Sequence, residues 1–215
     1  MIVEFVGESG CGKSTLAKNV FPNIEGAKRK GSLTTKDNLK ALMRILSRKK
    51  TRKIFNAYLS LEIAETGLKR FLRNNLYIAG LINVLTKNEK QDVWIIDQGL
   101  IQFLQTVYFF KSPKNERFAK IIAMLTEDND YVVVACGCDH ETLIKRIQMR
   151  RKNDKETERR IEHADRGLFD LHEKNLRTIL ERISKKDQIF VDTAQDMDTI
   201  TKEVCNFIES RRMSS

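Results

Sequence analysis

Four short, nearly continuous apolar runs punctuate the chain, at residues 2–6, 93–96, 131–136 and 189–191. Runs of this length without strict alternation read as strands buried on both faces, as in a parallel sheet. Between them the apolar spacing becomes helical. Leu61, Ala64, Leu68 and Leu72 share one helix face, as do Leu100, Leu104, Val107 and Tyr108. Leu176, Ile179, Leu180 and Ile183 repeat the pattern, and so do Ile200, Val204, Phe207 and Ile208. Strands alternating with helices predict an α/β fold, a doubly wound parallel sheet flanked by helices. There is room for a fifth strand between Ile24 and Leu33, in a stretch too polar for the pattern to place it. Residues 36–90 read as an almost wholly helical insertion, of the kind that covers a substrate pocket. No repeat or proline-rich linker divides the chain, so a single domain over residues 1–215 is expected.

Composition narrows the class. With 41% hydrophobic and 32% charged residues, the chain has the balance of a core-forming protein rather than a disordered one. The longest apolar stretch, Leu76 to Leu85, contains Gly80 and Asn83 and is too short to span a bilayer. The first residues carry no basic segment before the first strand, and four cysteines suit free thiols, so a cytoplasmic protein without a membrane partner is expected. Cys136 and Cys138 lack the second pair or the histidines that would complete a metal site. The net charge of +10 gathers at residues 28–30, 48–53 and 145–160. That excess suits either a nucleic acid or a site holding a nucleotide with a second anion, and for residues 48–53 a solvated helix face is the plainer reading.

The strongest chemical signal follows the first strand. Gly7-Glu8-Ser9-Gly10-Cys11-Gly12-Lys13-Ser14-Thr15 meets the Walker A pattern G-x-x-x-x-G-K-[ST], with a strand before it and a helix starting near Lys13. Glycines let backbone N–H groups crowd around phosphates, and the new helix turns its positive end toward them. Lys13 supplies a compact charge for the β- and γ-phosphates, and the Ser14 hydroxyl is placed for Mg²⁺. This P-loop predicts nucleotide binding, with ATP and Mg²⁺ as cofactors. No Asn-Lys-x-Asp follows a strand, Lys87-Asn88-Glu89-Lys90 being a poor substitute, which argues against a GTPase.

Two further features gather around the loop. Asp97 ends the second apolar run, and ligands of open parallel sheets bind at that edge. Its carboxylate can reach Mg²⁺ through a water or accept the proton of an attacking hydroxyl. After the third run a helix is expected from Asp139 or His140, with Arg146 and Arg150 one turn apart, followed by Arg151, Lys152, Lys155, Arg159 and Arg160. Fixed guanidiniums stabilise a transferring phosphoryl group, and an arginine-rich lid over about residues 150–166 would exclude water on closure. A solvated, salt-bridged helix pair is the alternative.

Together the Gly7–Thr15 loop, the strand ending at Asp97, the Asp139, Arg146 and Arg150 series and the closing Ile189-Phe190-Val191-Asp192-Thr193-Ala194-Gln195 resemble the P-loop nucleoside and nucleotide kinases, thymidylate kinases above all. The resemblance implies that Arg146 stacks on adenine, that Ala194 and Gln195 border the base, that Arg150 with Arg159 or Arg160 faces phosphates from the lid, and that Asp97 lies beside the acceptor. It also implies a homodimer, as such kinases often form. Two positions depart from it. Ser9 stands where thymidylate kinases carry an acid, and Gln98 where an arginine holds the acceptor's phosphate, so Ser9 and Gln98 are expected at the acceptor without a charge for it. The leading expectation is a kinase for a small hydroxyl or phosphate acceptor, thymidylate kinase-like without thymidylate specificity. The alternatives are a polynucleotide or RNA kinase or nucleic-acid-linked ATPase, suggested by the charge, and a nucleotide-dependent switch without turnover.

Overall fold

The computed structural model describes residues 1–29, 43, 45, 47, 49–62, 78, 81, 82, 92–107, 116–126, 130–150 and 166–214. The chain begins with β1 (Ile2–Gly7), α1 (Lys13–Val20), β2 (Ala27–Arg29) and α2 (Lys49–Glu62). It continues through β3 (Val93–Ile96), α3 (Leu100–Val107), α4 (Glu116–Thr126) and β4 (Tyr131–Gly137). It closes with α5 (His140–Arg150), α6 (Arg166–Leu180), β5 (Gln188–Asp192) and α7 (Met197–Met213).

The five strands form one sheet in the order β2-β3-β1-β4-β5, and each neighbouring pair is parallel. The fifth strand is β2, which pairs along β3 from Ala27 opposite Val93 to Arg29 opposite Ile95. β1 is central: Ile2 lies opposite Trp94 on one side and Tyr131 on the other. Side chains alternate across a strand, so β1 serves two cores. Val3 and Phe5 pack with Leu16, Ala17 and Val20 of α1, Leu143 and Ile147 of α5, and Ile200, Val204 and Ile208 of α7. Ile2 and Val6 pack on the other face with Ile54 and Tyr58 of α2, Leu100 and Leu104 of α3, Ile121 of α4 and Ile179 of α6. Two helical layers around a parallel sheet are the arrangement that strands apolar on both sides require.

Among the expected helical stripes, Leu100 and Leu104, then Leu176, Ile179, Leu180 and Ile183, then Ile200, Val204 and Ile208 are buried as the spacing predicts. Ala64, Leu68, Leu72 and Tyr108 lie outside the described residues, as do most of the 36–90 insertion and the lid apart from its ends at Arg150 and Arg166. Among the described residues no helix is long and apolar enough to cross a membrane. Cys11, Cys136, Cys138 and Cys205 are free thiols.

Candidate functional site

The C-terminal ends of β1, β3, β4 and β5 converge on one edge, and the sequence-predicted residues that the structure describes meet there. β1 runs into residues 8–12 and then α1, with positive φ at Gly7, Gly10 and Gly12. Gly12 is the N-cap of α1, at φ 98°, and provides no side-chain cap. A Cβ there would strain the backbone and approach Arg146 Nη1 to 3.2 Å. The first N–H groups of a helix have no partners within it. Those of Lys13 and Ser14 therefore sit at an uncapped, electropositive end, which suits phosphate oxygens. Lys13 is 8% exposed, and its Nζ donates to Glu8 O at 3.1 Å. Ser14 is half-buried in the first turn, while Ser9 and Thr15 are exposed.

Glu4 is the principal site-building residue that the sequence conceals. It points from β1 toward α3, is fully buried, and caps that helix. Its Oε1 accepts from Gly99 N at 3.0 Å and Gln102 N at 2.7 Å. Its Oε2 accepts from Ile101 N at 2.9 Å and from the Tyr131 hydroxyl. Burial pushes its carboxyl above the ordinary carboxylate range, against the opposing pull of these hydrogen bonds. Gly99 fits because a Cβ would lie 2.4 Å from the Glu4 carboxyl carbon. Gln102 in turn accepts from Gly7 N at 2.9 Å through Oε1. Glu4 thus fixes α3, and α3 fixes the entrance to the phosphate loop. The same cap sets the start of α3 just beyond Asp97 and Gln98. Asp97 is half-buried and Gln98 is exposed.

Arg146 closes the other side of the loop. Its Nη1 donates to Cys11 O and Thr193 Oγ1, both at 3.0 Å, and its Nη2 to Thr193 O at 2.5 Å. The Thr193 hydroxyl is also bonded to Cys11 O, and Thr193 N donates to Gly137 O at 2.8 Å. These contacts tie the loop to the end of β5, with Ala194 and Gln195 exposed just beyond. Hydrogen bonds lie in the guanidinium plane, which leaves its face available for stacking. α5 begins as expected: Asp139 accepts from Thr142 N at 2.8 Å and Thr142 Oγ1 at 2.5 Å. The Thr142 hydroxyl and N–H hold the Asp139 carboxyl below its usual range. Arg150 is the last residue of α5; Arg159 and Arg160 lie outside the described residues.

A cavity of about 380 Å³ opens between the loop and α3, lined by Gly7, Glu8, Ser9, Lys13, Gln98, Gly99, Gln102, Phe103 and His172. The expected acceptor-side residues Ser9 and Gln98 do meet here. Asp97 is not among the lining residues, whereas Gln102, Phe103 and His172 are additions. Gln102 and Phe103 fall on the α3 turn after Gln98, a signal available in the sequence. His172 comes from α6, and nothing local in sequence marks it. Its Nδ1 lies 2.8 Å from Glu8 Oε2, an ion-pair distance whose angles fall short of a hydrogen bond. A second cavity, of about 320 Å³, lies over β4 and β5 on the far side of Glu8 and His172, with Cys11, Cys136, Cys138, Phe169 and Phe190 in its walls. Burial pushes the Cys11 and Cys136 thiols up, and Cys138 up to about 11. Among the described residues no group of three or more histidine, cysteine or acidic side chains is arranged to hold a metal.

No family model matches the chain, and no curated protein matches it. Solved structures do. Deoxyadenosine kinase from M. mycoides, with bound dATP, aligns over 97% of this chain and 100% of its own, at 16% identity and a TM-score of 0.54. The YorR protein from Bacillus subtilis, in complex with phosphorylated GDP, aligns over 97% and 96%, at 18% identity and a TM-score of 0.54. Thymidylate kinase from Candida albicans aligns over 98% and 92%, at 15% identity and a TM-score of 0.54. The architecture of this chain is therefore the P-loop fold of nucleoside and nucleotide kinases.

Proposed function

We propose that the chain is an ATP- and Mg²⁺-dependent phosphotransferase acting on a small acceptor. The observation that carries this reading is a juxtaposition: the uncapped N-terminus of α1 and Lys13 border a walled cavity on the α3 side. A donor phosphate at the loop and an acceptor in that cavity would share Lys13 between them. Deoxyadenosine kinase with bound dATP and YorR with phosphorylated GDP, which share the fold, support a nucleotide as one partner.

In this reading the residues act chiefly by position and charge, as phosphoryl transfer requires. The loop N–H groups hold the donor's phosphates, and Lys13 neutralises charge that builds toward the leaving oxygen. Ser14 and Asp97, both half-buried at the site edge, offer the hard oxygen donors that suit Mg²⁺ alongside water and phosphate oxygens. Mg²⁺, when bound, would screen the phosphate charges during transfer. Arg146 offers its guanidinium face to the adenine near Ala194 and Gln195, while its edges hold Cys11 and Thr193. Arg150 and Arg159 are assigned to the lid. Free, burial-raised thiols agree with a cytoplasmic setting.

Lys13→Ala tests the assignment. Removing the lysine of the loop should weaken ATP·Mg²⁺ binding or turnover at least tenfold, about 1.4 kcal/mol. Calorimetry and a turnover assay that both return wild-type values for the variant would refute it.

A further inference from the structure

The cavity over β4 and β5 has a use of its own. It encloses about 320 Å³, within the roughly 300–1,000 Å³ of small-molecule pockets. Lys13, Ser14, Arg146, Ala194 and Gln195 are not among its described lining residues, so it is not the place assigned to the nucleotide. Phe169 and Leu176 of α6, Phe190 of β5 and three thiols make its walls apolar. Phe190 is 54% exposed. Its ring lies over Gly137, where a Cβ would come within 2.7 Å of Phe190 Cζ. A large aromatic face is thus left open at a cavity wall, where an occupant would cover it. Two polar features say what kind of occupant fits. Gln105 of α3 lines the cavity, is 3% exposed, and its Oε1 has no hydrogen-bond partner. A buried amide oxygen left so is costly, and an N–H donor would satisfy it. The last torsion of a glutamine is broad, so the amide can turn to meet that donor. The second feature is charge. The chain carries +10 overall, yet Glu8, Asp139, Glu173 and Asp192 line this cavity, with one histidine and, among the described residues, no lysine or arginine. Such walls repel a phosphate and attract a cation, which aromatic faces also favour.

We propose that this cavity is a second ligand site, for a small planar aromatic compound that bears N–H donors of the amidine or amide type and no phosphate. Its ring packs against Phe190, Phe169 and Leu176, and its N–H group donates to Gln105. The carboxylates favour a cationic ligand over a neutral one, and exclude an anion. Because the nucleotide is assigned to other residues, both ligands are held at once.

Benzamidine, benzamide and benzoate share one ring and differ in charge and donors, so they serve as probes. Their binding to the full chain is measured by calorimetry and saturation-transfer NMR, with and without ATP·Mg²⁺. Benzamidine should bind with a Kd of about 1 mM or tighter, as a fragment in a formed pocket does. Benzamide should follow within about tenfold, and benzoate should be weaker than benzamidine by roughly tenfold or more. Saturating ATP·Mg²⁺ should leave benzamidine binding within about threefold of its value alone. Gln105→Leu should weaken benzamidine and benzamide by roughly fivefold or more. Two substitutions at more exposed positions keep the test open should that variant fold poorly. Phe190→Ser should weaken all three probes, and Glu173→Lys should erase the preference for benzamidine over benzoate. Failure of both benzamidine and benzamide to bind overturns the proposal, as does equal binding of benzoate. Displacement of benzamidine by ATP also overturns it, by placing the probe in the nucleotide site. Unchanged affinities in both Phe190→Ser and Glu173→Lys would mean adventitious binding elsewhere and overturn it too. None of these outcomes bears on the phosphotransferase reading, which uses other residues.

Discussion

At the scale of single residues, Glu4 and Lys13 present opposite problems to a reader of the sequence. Lys13 is legible because every position of its motif lies within nine residues, and local backbone geometry alone explains the pattern. Glu4 looks like a stray acid in an apolar run. Its partners Gly99, Gln102 and Tyr131 lie 95, 98 and 127 residues away, so only the folded sheet reveals why a carboxylate belongs there. His172 was hidden in the same way. Glu4→Gln tests how much the cap matters. The amide keeps the shape but turns one acceptor into a donor facing the N–H groups of α3, leaving a buried group unpaired. That should cost about 1–3 kcal/mol, or a fall in melting temperature of about 2–4 °C per kcal/mol for a chain of this size. Tyr131→Phe removes one donor and should cost less. Thermal unfolding that ranks Glu4→Gln level with wild type would show that the carboxylate is dispensable.

Among the elements, the strands of the inner sheet were readable because burial on both faces forces continuous apolar runs. β2 was not, since Ala27–Arg29 is a three-residue edge strand held by pairing with β3 rather than by its own side chains. α4 does not figure among the helices expected from apolar spacing, although Ile121, Ile122 and Leu125 are spaced for one and are buried. The starts of α5 and α7 follow a common logic. Asp139 caps α5 through Thr142, and Asp196 caps α7 through Thr199 N and Oγ1, both at 2.9 Å. Hydrogen bonds to each carboxylate hold its pKa below the ordinary value. The caps therefore stabilise the fold above the usual aspartate pKa of about 3.9, and that contribution disappears as pH falls through the lowered value. Asp139→Ala and Asp196→Ala should each melt below wild type at pH 7, with the gap closing as pH is taken well below the ordinary aspartate value. A gap of the same size throughout a pH series of melting curves would mean that the carboxylate charge plays no part.

For the whole molecule, alternation of strand and helix was enough to predict a parallel α/β sheet and the edge at which the candidate site lies. The company around the cavity beside the loop was not predictable, because Ser9, Gln98, Phe103 and His172 arrive there from the loop, the end of β3, α3 and α6. The assembled cavity sharpens the question raised by Gln98. Lys13 is the one lysine or arginine among its described lining residues, and Glu8 adds a negative charge. A monoanionic or dianionic acceptor would compete with the donor for Lys13, and an unpaired buried charge costs several kcal/mol. Thymidine monophosphate should consequently be phosphorylated at least tenfold less efficiently than a neutral nucleoside, on the order of the 1.4 kcal/mol that separates such rates. A panel with nucleosides, nucleoside monophosphates and short oligonucleotides decides it. Efficient use of thymidine monophosphate defeats the charge argument, and use of oligonucleotides alone would favour a nucleic-acid kinase.

The central place of β1 has a consequence for how the protein comes into being. The first strand of this sheet to be synthesised is flanked in the finished sheet by β3 and β4, and β4 begins only at Tyr131. At about 5–20 residues per second, the phosphate loop is synthesised on the order of ten seconds before the strands that hold it. During that interval an apolar strand with two open edges waits in the nascent chain, a state that invites chaperone binding. A fragment ending at residue 126 would contain the complete loop motif without Tyr131, the β4 strand or the Thr193 tie to Cys11. It should bind no measurable ATP by calorimetry, and affinity should appear only in fragments that extend past β5. Nucleotide binding would then serve as a late checkpoint of translation, reporting that the last strand has joined the sheet.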